Sequence, residues 1–238
     1  MKIAQVAPLY ESVPPKLYGG TERVGSYLAE ELVRQGHDVT LFASADSVTK
    51  AKLHPVCDRA LRLEGKKIID PVAHHIRMIE LVAQETAHFD IVQFHTDYLH
   101  FPVTRRQKIK AVTTLHGRLD IPDLVPLYLE LGDMNLVSIS NSQRLPLVWA
   151  NWVGRVYHGL PEDLYKPVTV PGKYLASSDA YRRKNELIAP FAAAFSRSDS
   201  VLDEWLKTTL KYINGLSPAR TTPLSPRAIS PARLRPDA

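Results

Sequence analysis

The chain has 238 residues, 45% of them hydrophobic, enough for one large core or two modest ones. Its net charge of +5 is uneven: residues 177–238 carry ten Lys/Arg against six Asp/Glu, and the preceding 176 residues carry 20 against 19, so overall charge gives no footing for a nucleic-acid reading. Cys57 is the only cysteine, which excludes an internal disulfide and points to a reducing, cytoplasmic setting.

In chain order, residues 2–7 (KIAQVA) form an apolar run suited to a buried strand. The opening residues lack the apolar core of a secretory signal, and no run of about 18 apolar residues could span a bilayer; peripheral contact with a membrane stays open. A loop with Pro14, Pro15, Gly19 and Gly20 follows, then a helix over 21–35 with Val24, Tyr27, Leu28 and Leu32 on one face. Thr21 is the expected cap of that helix and Gly36 its left-handed stop. Residues 39–43 read as a second strand and 70–88 as a helix with Pro71 in its first turn. Ile76, Ile79, Leu81 and Val82 are among its apolar positions, and His74 and His75 are expected on a solvated part of it. Further strands are expected at 91–94, 111–115, 136–140 and 155–157, separated by helical or irregular segments around 99–106, 124–131 and 142–150.

Repeated βα units with nearly all-apolar strands imply an α/β fold: a Rossmann-like, doubly wound parallel sheet covered on both faces. The expected division is a Rossmann-like domain over 1–170, an aberrant segment over 171–216 and a tail over 217–238. In that tail Pro218, Pro223, Pro226, Pro231 and Pro236 recur among Ser, Thr, Ala and Arg. Such a composition buries too little apolar surface to offset ordering entropy and reads as disordered.

In an open parallel sheet, ligands bind beyond the carboxyl ends of the strands. The expected ends here are polar: Tyr18-Gly19-Gly20-Thr21 after the first, His95-Thr96-Asp97 after the third, His116-Gly117 after the fourth. Ser140-Asn141-Ser142 closes the fifth and His158-Gly159 the sixth. Glycines opening into a helix let backbone N–H groups approach an anion, although the same residues also make an ordinary strand-to-helix turn. No G-x-G-x-x-G follows the first strand and no acidic residue ends the second, which argues against a dinucleotide cofactor. A lone histidine is usually a hydrogen-bonded structural residue, but three at strand ends of one sheet point to a site. None has the helical i,i+4 pairing of a zinc protease, and Cys57 lies in no nucleophile motif.

Taken in order, KIAQVAP, YGGTERVGSYLAEELVRQGHDVTLFAS, DIVQFH, TTLHG, SISNSQR and VYHGLPEDLYKP resemble the amino-terminal domain of glycosyltransferase family 4, over roughly residues 1–176. The resemblance implies half of a two-domain GT-B fold and retaining sugar transfer from a nucleotide-sugar, a co-substrate, to a carbohydrate, lipid or small acceptor. No cofactor or obligatory metal is implied. Gly19 and Gly20 would lie against the donor diphosphate or the sugar, and His116 would face the reacting sugar as the catalytic residue. His95 would line the acceptor side, with Ser140, Asn141 and Arg144 nearby. His158 stands where many members of the family carry asparagine.

The family's second domain, which binds the nucleotide-sugar, has no counterpart in residues 177–238. Synonymous codons exist for which residues 177–191 read FLGRISPEKRTDRAI in a shifted frame, the string the family would place after KYLA. Residues from Ser177 onward are therefore expected to be a frameshift product, and the chain as it stands is expected to be inactive. The alternatives are a non-catalytic single-domain sugar-, phosphate- or protein-binding module and a non-functional fragment.

Overall fold

The computed structural model describes residues 1–65 and 68–159, and seven strands there form one parallel sheet. The elements are β1 (Lys2–Val6), α1 (Gly20–Arg34), β2 (Asp38–Ser44), β3 (Lys52–Cys57) and α2 (Pro71–Glu85), which a 3-10 turn (Thr86–His88) prolongs. Then come β4 (Ile91–Phe94), α3 (Phe101–Gln107), β5 (Ala111–Leu115), α4 (Leu124–Glu130), β6 (Leu136–Ser138), a 3-10 turn (Ser142–Leu147) and β7 (Trp152–Arg155). The order across the sheet is β3-β2-β1-β4-β5-β6-β7. Winding therefore reverses between β1 and β4, where open α/β sheets leave a crevice.

The period of two along each strand decides which helix covers which face. Ile3, Ile91 and Val112 pack with Leu28 and Leu32 of α1. Their sequence neighbours Ala4, Val92 and Ala111 pack with Met78 and Val82 of α2 on the opposite face. Two faces covered by two helices make the sheet doubly wound, as expected. A third cluster joins Phe101, Leu115, Tyr128 and Leu136, seating α3 and α4 on the later strands.

Three local expectations are corrected. Helix α1 starts one residue early: Gly19 is its N-cap and Arg23 N–H donates to Gly19 O at 3.0 Å, so Thr21 does not cap it. The missed strand β3 contains Pro55 and lies at the sheet edge, where a missing N–H costs no ladder bond. Strand β7 starts three residues before the expected 155–157, overlaps it only at Arg155 and carries Gly154 within it. The segment after β6, expected to be helical or irregular, winds as a 3-10 turn holding Pro146.

Helix α2 follows the expectation at its start, where Asp70 Oδ1 accepts from Val72 N at 2.9 Å and Pro71 opens the first turn. Its faces differ from the expectation, since Ile76 is exposed and His75 is buried. His75 Nε2 accepts from Leu9 N–H at 3.1 Å, and Nδ1 lies 2.7 Å from Pro71 O. The imidazole thus ties α2 to the chain leaving β1. At the far end of α1, Gly36 has φ 84° and its N–H reaches Val33 O at 2.9 Å, the expected left-handed stop. The segments at 171–216 and 217–238, with the shifted-frame string, lie outside the described residues.

Candidate functional site

At the carboxyl ends of β1, β4 and β5 lies a cavity of about 540 Å³, walled by Gly19, Gly20, His95, His116, Gly117 and His158, with Arg62 on one side. That volume suits a small organic ligand. The sequence brings these groups together through strand register. Gln5 of β1 pairs with Gln93 of β4, and Ile3 pairs with Ile91 two positions earlier. With Ile3 and Ile91 facing α1, Gln5, Gln93 and His95 follow on the same face.

Those residues form a continuous hydrogen-bonded chain. Gln93 Nε2 donates to Thr114 Oγ1 at 2.8 Å, and Gln5 Nε2 donates to Gln93 Oε1 at 2.8 Å. Gln5 Oε1 lies 3.0 Å from Nε2 of His95. His95 Nδ1 lies 2.8 Å from His116 Nε2, and His116 Nδ1 lies 3.1 Å from His158 Nε2. The rings of His116 and His158 stack with centroids 5.2 Å apart. Burial keeps the chain neutral: it pushes the pKa of His95 down to about 3, helped by the nearby His158. Burial likewise holds His116 well below the ordinary histidine range and lowers His158.

The two glycines serve different ends. A Cβ on Gly19 would meet Pro15 Cβ at 2.8 Å, Glu22 Oε2 at 2.9 Å and Glu11 Cβ at 3.1 Å, whereas one on Gly20 would meet nothing within 4 Å. Gly19 is required by the packing of its own loop, and Gly20 leaves the cavity open at the first turn of α1. The cap, a glycine, makes no side-chain hydrogen bond to the first turn of α1, and a helix start of this kind favours an anion. Behind this turn Glu22 is buried, which raises its pKa, and its Oε1 accepts from Glu11 N–H at 3.3 Å. Glu11 is also fully buried, and its Oε1 lies 3.8 Å from Arg62 Nη1.

Ser140, Asn141 and Arg144 do not line the cavity. Ser140 Oγ accepts from Gln143 N–H at 3.0 Å, and Asn141 Oδ1 accepts from Arg155 Nη1 at 2.6 Å. Arg144 donates to Ser138 Oγ at 2.6 Å and to Gly154 O, with its guanidinium 5.2 Å from the Trp152 ring centre, so it bridges β6 and β7. Gln143, between them, has the more direct link to the cavity. Its Nε2 donates to Leu115 O at 2.9 Å and Gly117 O at 2.8 Å, fixing the backbone on both sides of His116.

Sequence reasoning missed Gln5, Gln93, Gln143 and Arg62. Gln5 and Gln93 carried a legible signal: each is a polar residue inside an otherwise apolar buried strand. Arg62 carried none, because it enters the wall from the loop after the unexpected β3, donating to Tyr18 O at 2.8 Å. Cys57 is no nucleophile, since burial raises its thiol to about 11. No group of three or more His, Cys, Asp or Glu that could hold a metal ion occurs among the described residues. Nor is any helix among them long and apolar enough to cross a membrane.

No curated protein matches the chain. Among solved structures, it is similar to AviGT4, a glycosyltransferase involved in avilamycin A biosynthesis, at 19% identity and a TM-score of 0.46, covering 69% of this chain and 43% of that one. A glycosyltransferase from Rickettsia africae is similar at 18% identity and a TM-score of 0.47, covering 79% and 49%. MurG from Acinetobacter baumannii is more distant, at 11% identity and a TM-score of 0.38, covering 58% and 41%. The chain thus spans less than half the length of these structures. The profile described as Glycosyltransferase Family 4 matches residues 18–176, a range that includes the glycine turn, His95, His116 and His158. On that match over more than half its length, the chain belongs to glycosyltransferase family 4.

Proposed function

We propose that this chain is the acceptor-side half of a retaining, nucleotide-sugar-dependent glycosyltransferase, with its cavity at the β1/β4 crevice holding the sugar. The observation that carries the reading is the convergence of Gly19, Gly20, His95 and His116 on one cavity in a chain that belongs to the family. In this reading the donor diphosphate lies against Gly20 and the opening N–H groups of α1, with Arg62 supplying positive charge. His116, in the cavity wall, is the catalytic residue that faces the reacting sugar; with its two ring nitrogens bonded to His95 and His158, it stabilises the charge developing on the sugar through that polarised chain. His95 lines the acceptor side and holds His116 from behind.

Ser140, Asn141 and Arg144 are outer members of the same proposal, at the carboxyl end of β6. The internal bonds of Arg144 favour a role in shaping that edge. The acceptor is a carbohydrate, lipid or small molecule, no metal is required, and the setting is cytoplasmic.

The test is titration of the chain with UDP-glucose, followed at the amides of Gly19 and Gly20, alongside an assay for sugar transfer. The expected result is weak binding at the glycine turn with no turnover by this chain alone. Tight donor binding would place donor recognition in this half and overturn the division of labour. A second reading is a non-catalytic module that holds a sugar, favoured by the bonding of both His116 ring nitrogens within the protein. It predicts acceptor binding without turnover even when a donor-side domain from a family member is supplied.

A further inference from the structure

Both ring nitrogens of His116 are occupied, by His95 and by His158, so the hydrogen-bonding capacity of the chain reaches the cavity one residue further out. Which capacity arrives there is fixed at the buried end. A neutral imidazole has one N–H and one lone pair, so a row of them carries a direction. Gln5 presents Oε1 to His95 because its amide nitrogen is used on Gln93. His95 must therefore carry its proton on Nε2 and turn the lone pair of Nδ1 toward His116. The same logic puts the proton of His116 on Nε2 and its lone pair on Nδ1, facing His158. His158 then donates from Nε2, and its own Nδ1 is left with a lone pair. That nitrogen has no hydrogen-bond partner among the described residues, and His158 lines the cavity.

We propose that His158 is a binding residue of the cavity: it ends a one-directional chain of imidazoles and offers its Nδ1 lone pair to a hydroxyl group of the bound carbohydrate. The inference rests on the reading of the cavity as a sugar site. Gln5 is a positioning residue for this contact: acting through His95 and His116, it sets the tautomer of His158 without touching the ligand. A lone pair selects an O–H donor and disfavours phosphate or carboxylate oxygens at that point, which separates the sugar end of the cavity from the glycine turn. The hydroxyl can belong to the donor sugar or to an acceptor sugar.

The experiment is nitrogen-15 NMR of the full chain labelled at its histidine rings, with His158→Phe used to assign the His158 signals. Expected are Nε2–H tautomers at His95, His116 and His158, and a shift of the His158 Nδ1 resonance on adding sugar. UDP-glucose and methyl α-glucoside are the two arms: a shift with only the first assigns the hydroxyl to the donor, and one with the second assigns it to an acceptor. An Nδ1–H tautomer at His158, which the reversed Gln5 amide would produce, overturns the proposal. So does an equal shift with UDP alone, since UDP carries no sugar beyond its ribose. Shifts at the Gly19 and Gly20 amides with none at His158 overturn this inference while leaving the reading of the cavity intact. Silence at both places overturns the two together.

Discussion

The Gly19-Gly20 pair shows at single-residue scale how a motif that reads as one feature divides its work. Gly19 has an extended φ of −161°, which any residue could adopt, so its requirement for glycine comes from the three atoms crowding its Cβ position. Two of those atoms belong to Pro15 and buried Glu11, neither free to swing away. Gly19→Ala is therefore expected to destabilise the fold by about 1–3 kcal/mol, the cost of overpacking. Gly20 is different, because its Cβ would point into open space within the first turn of a helix that alanine favours. Gly20→Ala is expected to leave stability unchanged or slightly raised while weakening UDP-glucose binding. Urea denaturation of the two variants checks the first half, and the amide titration checks the second. Equal loss of stability in both would mean that the pair serves only the turn. From sequence the two glycines look alike; the difference lies in Pro15 and Glu11 folding back on one of them, a tertiary contact that no local pattern encodes.

Among the elements, the strand ends carry the site, and period two explains how much of it was legible. Strands at 91–94 and 111–115 were read to the residue, because short apolar runs bounded by polar clusters leave little freedom. Strand β3 was not, because Pro55 breaks the run and edge strands tolerate what central ones do not. His95 and His116 were legible as a cluster, but the glutamines behind them were not joined to it until the register of β1 against β4 was known. That buried layer has a consequence for pH. His95, His100 and His116 all have pKa values depressed by burial, from an ordinary value of 6.5 to about 3 for His95. The unfolded chain binds those protons at a higher pH than the folded one, so stability rises with pH across the interval. It is fully present above 6.5 and is lost as pH falls from there toward about 3, the folded value of His95. Each such group contributes a loss of about 1.4 kcal/mol per pH unit within its window. Buried Glu22 and Asp97 oppose this, since their raised pKa values favour the folded state at acid pH. Six histidines with depressed values, counting His37, His75 and His158, against two carboxyls predict a urea midpoint that drops steeply between pH 6.5 and 5. A midpoint that stays level over that range would mean that the rings are charged in the folded state and that the neutral chain is wrong.

For the whole molecule, the question is what completes the cavity. Its walls come from the carboxyl ends of one parallel sheet, and in a two-domain transferase the opposite wall would come from the second domain. The family match stops at residue 176, one residue before the shifted-frame string begins at Ser177. The doubly wound body was legible from βα alternation because its interior order is set by local periodicity. What faces the cavity was not, because the local periodicity of residues 1–159 carries no information about a second wall. If Ser177 onward is a frameshift product, sequencing the source DNA across codons 170 to 195 will show one base whose insertion or removal restores FLGRISPEKR after Ala176. The protein expressed from that restored frame should then transfer sugar from a nucleotide donor, while the 238-residue chain does not. Replacing His116 by alanine in the restored protein should lower kcat by 100-fold or more, on the order of one lost transition-state contact. The opposite result is equally readable. If the printed frame stands and stop codons close the shifted one, the coincidence at Ser177 is degeneracy in the code. Mixing the chain with a donor-side domain from a family member would then test whether turnover needs a second wall facing the cavity.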